Sequence, residues 1–343
     1  MRGGPMTKPA DLGDRTDGAA ARPPRPATGR WRTAIAWTLV GAWGAWAAGR
    51  LTGVDRLPVI EFPVTPVLAV TPYVAAAVPI PLLAAAVLRR PRALIAAGLV
   101  AVAFAVAVLP RAIGSGGPAA AGPPLRVLTA NLMFSQADPS RVVDLVRRNH
   151  ADVLSVQELN QDGVEALDQA GLGAELPYHV LDPRWGAAGT GLYSRYPLRA
   201  TAPVPGAAMA MPQAELALLG GTRVELTAVH PLPPFSRPNL RAWKHDLGAL
   251  PTAPTRGPAP LLIGDFNATL DHARLRGVLG RGYADAADRA GKGLVLTWGI
   301  SMFGPPLSLD HILVDRRVAV RRVDVYDLPG SDHRALFAEL RLP

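Results

Sequence analysis

The chain carries two kinds of hydrophobic pattern. Up to about residue 112 the apolar positions come in long runs, Trp31 to Gly49, Val64 to Leu88 and Ala93 to Leu109. The first is apolar apart from Arg32, Thr33 and Thr38, is bracketed by Arg30 and Arg50, and approaches the ~20 residues that a membrane-spanning helix needs. The second is interrupted by Pro66, Pro72, Pro79 and Pro81; membrane helices tolerate proline, but so many argue against one straight span. The third is uncharged and somewhat short. Three such runs joined by short charged links predict about three transmembrane helices over residues 31–112. From Leu125 onward short apolar runs alternate with amphipathic or polar stretches. Strands are expected at Arg126–Asn131, Asp152–Glu158, Leu192–Ser194, Arg223–His230, Leu261–Asn267 and Leu309–Val314. A helix is expected from near Ser140, with Val142, Val143, Leu145 and Val146 on its apolar side and Arg147 and Arg148 in its last turn, where cations favour the dipole.

Composition agrees with a split molecule. Hydrophobic residues make 49% and charged residues 18% of the 343 positions, which excludes a disordered chain as a whole. Cysteine is absent, so disulfides, thiolate metal sites and a cysteine nucleophile are excluded. The formal net charge of +9 invites a nucleic-acid reading until its location is read. Thirteen basic against five acidic residues precede Gly114, and the remainder is nearly balanced at 23 against 22. The excess therefore flanks the apolar runs, as membrane topology requires, and says little about the C-terminal region. Arg89, Arg90 and Arg92 crowd the second link. The positive-inside rule puts that link and the N-terminal tail in the cytoplasm, and three spans then put residues 125–343 outside the cell membrane; a re-entrant second run would put them inside. Residues 1–30 read as a disordered cytoplasmic tail and residues 113–124 as a Pro/Gly-rich linker.

The chemistry lies where strands end. Asn131, Glu158, His230 and the pair Asp265 and Asn267 each stand where an apolar run leaves the core. For any one of them a turn or capping role is the better reading; together they suggest side chains converging on one sheet edge. Carboxylates and amides with no cysteine suit a hard cation, Mg²⁺ above all, with Mn²⁺ and Ca²⁺ as alternatives. A histidine beside a carboxylate, as at Asp332-His333, serves acid/base work or neutralises an oxyanion.

RVLTAN ending at Asn131, VQE ending at Glu158, SRYP from Ser194, AVHP around His230, GDFN from Gly264, SLDHILV around Asp310 and SDHRAL around His333 occur in one order. In that set the region from Leu125 to Pro343 resembles the endonuclease/exonuclease/phosphatase superfamily, and the N-terminus looks similar to that of its membrane-anchored bacterial members. The resemblance implies an α/β fold, a four-layer α/β sandwich of two packed, mostly antiparallel sheets flanked by helices. It implies that Glu158 holds the metal with Asn131 and Asp332 nearby. Asp265 would orient or deprotonate the attacking water, and Asn267 would hold a phosphate oxygen. His333, oriented by Asp310, would contact the scissile phosphate, and His230 would stabilise transition-state charge, so that Asn131, Asn267 and His230 also bind substrate. Met133 stands where some nuclease members carry an acidic residue, which weakens a close analogy to abasic-site nucleases. Tyr193 is expected in the strand core.

The expected activity is a membrane-anchored, divalent-metal-dependent phosphoester hydrolase, a phosphodiesterase or phosphatase. The motifs say little about the substrate; location beside a bilayer alone makes a phospholipid or lipid-linked phosphate plausible. The alternatives are a nuclease acting on DNA or RNA, with Arg237, Arg241, Lys244, Arg316, Arg317, Arg321 and Arg322 as its basic patch, and a catalytically silent scaffold on the same fold. His150, His179, His245 and His272 are expected in surface or capping roles, Asp271 as a helix cap, and His311 on the face opposite Asp310.

Overall fold

The computed structural model describes Gly4, residues 28–299 and residues 304–343. Apart from Gly4 and its last three residues, the expected disordered tail lies outside the described residues. The first part of the chain is helical: α1 (Thr28–Thr52), α2 (Glu61–Leu68), α3 (Thr71–Ala76), α4 (Pro79–Val87), α5 (Pro91–Val108) and α6 (Pro110–Ile113). The proline-rich second run is the segment that breaks, because each proline lacks an amide hydrogen and crowds the preceding turn. Pro72 and Pro79 stand in first turns, where both defects are harmless, and the chain bends by 63° between α2 and the stretch Thr71–Val87.

The expectation of three transmembrane helices is corrected. Among the described residues one helix, α5, is long and apolar enough to cross a membrane, with a mean hydropathy of 2.1; the bent pair would add a second only as a broken span. At 25 residues α1 has the length but not the apolarity, since arginine, tryptophan, glycine and threonine dilute its aliphatic residues. Its tryptophans reach for polar partners: Trp43 donates to the Val74 carbonyl at 3.0 Å and Trp46 to the Thr71 hydroxyl at 3.1 Å.

The C-terminal region follows in the order β1 (Pro124–Asn131), α7 (Pro139–Arg148), β2 (Val153–Gln157), α8 (Gln161–Gln169), α9 (Leu172–Glu175), β3 (Tyr178–Asp182), β4 (Thr190–Ser194), β5 (Leu198–Thr201), β6 (Gln213–Ala217) and β7 (Arg223–Val229), then α10 (Arg237–Ala249), β8 (Ala259–Asp265), α11 (Ala273–Leu279), β9 (Tyr283–Asp285), α12 (Ala286–Arg289), β10 (Asp310–Asp315), β11 (Ala319–Asp327) and β12 (Arg334–Arg341). The strands form two six-stranded sheets, ordered β11-β12-β1-β2-β4-β3 and β5-β6-β7-β8-β10-β9. Each sheet has one parallel pair at its centre, β1 with β2 and β7 with β8, and is antiparallel elsewhere.

Alternation builds the four layers. Leu125, Val127, Leu226, Ile263, Ile312 and Leu340 pack between the two sheets. Leu128, Leu154 and Phe337 face outward against Val142, Leu145 and Val146 of α7. On the other side Leu262 and Leu313 meet Leu240 and Trp243 of α10 and Leu275 of α11. Each such side chain, fully buried, stabilises the fold by about 1.5–3 kcal/mol. The expected helix near Ser140 is α7, started by the Asp138 carboxylate accepting from the Ser140 amide at 2.9 Å and ended by Arg147 and Arg148. Tyr193 lies in the core, as expected.

The N-terminal helices are fastened to this sandwich. Arg50 and Arg111 both pair with Asp271, at 2.9 and 2.6 Å, and Glu61 pairs with Lys244 at 2.6 Å and Arg274 at 3.3 Å. Asp271 is therefore not the cap of α11. That amide, Ala273 N–H, is taken by Asp55 at 2.7 Å, and the arginines hold the Asp271 carboxylate elsewhere.

Candidate active site

Topology gathers the site. Parallel neighbours end at the same edge, so Asn131 at the end of β1 stands beside Glu158 just past β2, and His230 just past β7 stands beside Asp265 at the end of β8. Antiparallel partners begin there: Asp310 opens β10 opposite Asp265, and Asp332 and His333 immediately precede β12, the antiparallel partner of β1. Sheet packing then brings the two edges together. The GDFN glycine is required for this. Gly264 has φ 152°, and a Cβ there would stand 2.1 Å from the Val229 carbonyl oxygen of the adjoining parallel strand. Glu158 and Asn267 have left-handed backbones, φ 58° and 46°, a strained conformation for non-glycine residues that concentrates at functional sites.

Asp265 is the hub. Its Oδ2 accepts from Asn131 Nδ2 at 3.2 Å, and its Oδ1 from the Asn267 amide at 2.8 Å. Oδ2 also lies 3.6 Å from His333 Nε2 and 3.9 Å from His230 Nε2. His333 Nδ1 meets Asp310 Oδ2 at 2.9 Å, while Asp310 is held from behind by its own amide donating to the Thr297 hydroxyl at 3.1 Å. Asn131 also donates to Glu158 Oε1 at 3.1 Å, and the Phe134 amide donates to Oε2 at 2.9 Å. Asp332 accepts from the Trp298 indole at 2.9 Å. Asn267 is anchored by its side-chain nitrogen donating to the Pro231 carbonyl at 3.0 Å. His311 points away, to Asp285 at 2.7 Å and the Ala268 carbonyl at 2.8 Å, as strand alternation requires.

Burial separates the titrating groups. It drives His230 down to about 3, with the His333 charge adding to it, so His230 is neutral. Burial opposes charge on His333 too, but Asp310 and Asp265 outweigh it and raise it to about 10. Asp265 is pushed up to about 7, chiefly by burial and further by Asp310, against the pull of His333. The two shifts are compatible because Asp310, at hydrogen-bond distance, matches the imidazolium charge and leaves Asp265 as the carboxylate ready to take a proton.

Two donor sets fit a cation to different degrees. Asp265, Asp310 and His333 present atoms within 4.8 Å of one another, but there the cation is His333 itself. Glu158 and Asp332 face the same cavity, and the pKa of Glu158 is raised, first by burial, with the Asp332 charge contributing. Two oxygen donors that repel each other and, among the described residues, form no salt bridge suit a hard divalent ion. Asn131 turns its nitrogen to both Glu158 and Asp265, while its oxygen accepts from the Met133 amide at 2.9 Å. It acts as a strut between carboxylates.

Over these groups lies a cavity of about 380 Å³. Its walls include Met133, Phe134, Met209, Leu232 and Phe235 and, from the N-terminal helices, Pro66 and Ala69. Sequence reasoning missed Ser331, which donates to the Asn131 carbonyl at 2.8 Å and accepts from the His333 amide at 3.0 Å; the SDH motif already contained it. It also missed Pro66 and Ala69, whose local sequence reports only a broken apolar helix. His272 is buried, with its Nδ1 accepting from the Thr269 amide at 2.8 Å and its Nε2 at 2.8 Å from the Thr65 carbonyl. The expected surface role for it is corrected; it does stand at the N-cap position of α11, with its side chain making no hydrogen bond to that helix end.

Residues 128–333 match the sequence profile described as Endonuclease/Exonuclease/phosphatase family. The chain belongs to that family. Its members are hydrolases of phosphoester bonds that depend on a divalent metal. No curated protein sequence matches the chain. Among solved structures, an endonuclease/exonuclease/phosphatase from Beutenbergia cavernae is 19% identical with a TM-score of 0.51, over 64% of this chain and 72% of that one. A 3′ phosphatase variant, NExo from Neisseria bound to product DNA hairpin, gives 19% and 0.51 over 62% and 98%. Humanized D. rerio TDP2 gives 18% and 0.50 over 63% and 98%. At such identities the likeness is one of fold, and the two mixed sheets flanked by helices agree with it.

Proposed function

We propose that the chain is a membrane-anchored, divalent-metal-dependent phosphoester hydrolase, a phosphodiesterase or phosphatase. The observation that carries this reading is the buried Asp265, raised to about 7 and shared by Asn131, His230 and His333, at the base of a cavity that also receives Glu158 and Asp332. Water adds to phosphorus in line with the leaving group and its proton passes to Asp265. The phosphorus–oxygen bond to the leaving group breaks, and the departing oxygen takes a proton from bulk water. His333, cationic and fixed by Asp310, and neutral His230 face the charge that develops on the phosphoryl oxygens. Asn131 and Asn267 hold Asp265 in place. Glu158 and Asp332 would hold Mg²⁺, with Mn²⁺ or Ca²⁺ as alternatives, and the bound ion would supply Lewis-acid stabilisation of those oxygens.

Membrane attachment is supported by the outer face of α5. Ile95, Leu99, Val102 and Val106 recur at helical spacing and are 60–68% exposed, a stripe that water does not favour. Arg90 donates to the Gly29 carbonyl at 2.6 Å, which puts Arg30, Arg32, Arg89, Arg90 and Arg92 at one end of the helices, while Arg50 and Arg111 at the other end bind the sandwich. By the positive-inside rule the arginine-rich end is cytoplasmic and the hydrolase extracytoplasmic in the cell membrane. A reporter fused after Pro343 that works only in the cytoplasm would refute this orientation.

A nuclease is the second reading, favoured by the DNA product bound to the Neisseria neighbour. Against it, among the described residues no lysine or arginine lines the cavity, and nucleic-acid binding rests on phosphate-contacting cations. Of the seven basic residues expected to form a patch, Lys244, Arg317 and Arg322 are paired with Glu61, Asp315 and Asp324. The deciding experiment is hydrolysis of bis(p-nitrophenyl) phosphate, phosphomonoesters, oligonucleotides and phospholipids by the purified full chain with Mg²⁺ and with chelator. Turnover should require the metal. Persistence in chelator sinks the mechanism, and silence on every substrate favours a binding protein on the same fold.

A further inference from the structure

The N-terminal helices do more than anchor. Ala69, just after α2, and Leu307 of the C-terminal region border the catalytic cavity, and the same two residues border a second cavity of about 250 Å³. The second cavity runs along α3, with Pro72, Tyr73 and Ala76 on one side and Leu294, Leu296 and Pro306 on the other. The Tyr73 hydroxyl donates to the Pro306 carbonyl at 2.7 Å and ties the two walls together. Arg111 and Asp271 also line this space, and they satisfy each other at 2.6 and 2.8 Å, so the cavity offers a ligand apolar surface. The stretch that contains α3 continues through α4 to the apolar helical bundle.

We infer that the substrate is an amphiphilic phosphoester. Its phosphate sits over Asp265, His230 and His333, and its hydrocarbon chain passes between Ala69 and Leu307 into the space along α3. This rests on the hydrolase reading and gives it a substrate class. Three observations converge. The two cavities adjoin at Ala69 and Leu307, most of their lining away from the carboxylates and histidines is apolar, and the wall that completes them belongs to the segment that leads into the bilayer-suited helix α5. Cavities of several hundred Å³ are the size that small-molecule ligands fill. A nucleic acid would find a carboxylate-rich base and no cationic wall among the described residues.

The test is a series of p-nitrophenyl phosphodiesters with ethyl, butyl, hexyl and octyl chains, each below its micelle concentration, given to the full chain in detergent with Mg²⁺. Each methylene buried should raise kcat/KM about fourfold, through a lower KM at steady kcat, until the chain outruns the cavity. Ala69→Trp should fill the junction and flatten the series. Leu307→Trp blocks it from the opposite wall if the first variant does not fold. A flat series in the unaltered protein, a slope that neither tryptophan changes, or a single-stranded oligonucleotide cleaved with a higher kcat/KM than the octyl ester overturns the inference and leaves the hydrolase standing. If no ester in the series and no oligonucleotide is hydrolysed with Mg²⁺ or Mn²⁺, the hydrolase reading itself falls and the inference falls with it.

Discussion

Asp265 and Asp271 are six positions apart on either side of one short loop. Both are buried, 2% and 0% exposed. For both, burial is the first influence on the carboxyl group and pushes its pKa up, yet they end on opposite sides of the ordinary value. Around Asp271 the hydrogen bonds and charges of Arg111 and Arg50 outweigh burial and leave it below the usual range. Around Asp265 the nearest cation is already matched by Asp310, and burial wins. A buried carboxylate given its own guanidinium groups is a fastening. One whose cation is shared is left with an affinity for a proton, which is what a base needs.

Substitution should pull the two apart. Asp265→Asn removes the proton acceptor and keeps the shape, so kcat on a soluble phosphodiester should fall about 10²–10⁴-fold, while the thermal midpoint holds or rises because a costly buried charge is gone. Asp271→Ala strands two arginines whose side chains are only 12% and 7% exposed, and should cost about 3–5 kcal/mol in chemical denaturation. If Asp265→Asn destabilises as much as Asp271→Ala, the distinction between base and fastening is wrong.

The two carboxylates were unequally legible. Asp265 announced itself because a strand delivered it within GDFN, and its partners also stood at strand ends. Asn131, Glu158 and His230 were readable for the same reason, since short parallel and antiparallel strands have few ways to place their ends. The pairing of Asp310 with His333 and the sandwich fold came from the family resemblance carried by the ordered motifs. Asp271 was misread as a cap because its partners, Arg50 and Arg111, are more than 150 residues away, and no local pattern encodes a docking contact. The N-terminal helices were misjudged similarly. Apolar runs gave the helices, but the bend between Leu68 and Thr71 and the modest apolarity of α1 left one helix among the described residues that qualifies as a straight span.

Acidity should separate the pair more gently. In the proposed role of base Asp265 must be unprotonated, so with a pKa raised to about 7 the activity should be lost as pH falls through that value, roughly tenfold in kcat/KM per unit below it. Asp271 has a folded pKa that is depressed. Its stabilisation is therefore fully present above the unfolded value of about 3.9 and is lost only as pH falls through the lower folded value. Between pH 5 and 7 the proposed activity should fall while the Asp271 fastening keeps its full strength. Rate profiles and denaturant midpoints of the unaltered protein and Asp271→Asn over that range measure both: the gap between the two midpoints should stay constant. A gap that closes in step with the activity would show that the contact between helices and sandwich titrates with the base.

The smallest effect concerns how the helices are fastened. Asp55 receives the Ala273 amide at 2.7 Å, capping α11 from a distant part of the chain, while its other oxygen is buried with no hydrogen-bond partner among the described residues. If capping is its contribution, Asp55→Asn, which keeps an acceptor, should change stability by a few tenths of a kcal/mol, and Asp55→Ala should cost about 1 kcal/mol. If Asp55 instead acts as a charge beside Arg50, Arg56 and Arg276, the asparagine variant should lose as much as the alanine variant, and the loss should shrink with added salt. Denaturation of both variants at low and high ionic strength distinguishes the cases. The first outcome leaves Asp271 as the main ionic tie of Arg50 and Arg111 to the sandwich; the second makes it one member of a larger charged network and lowers the cost expected for Asp271→Ala.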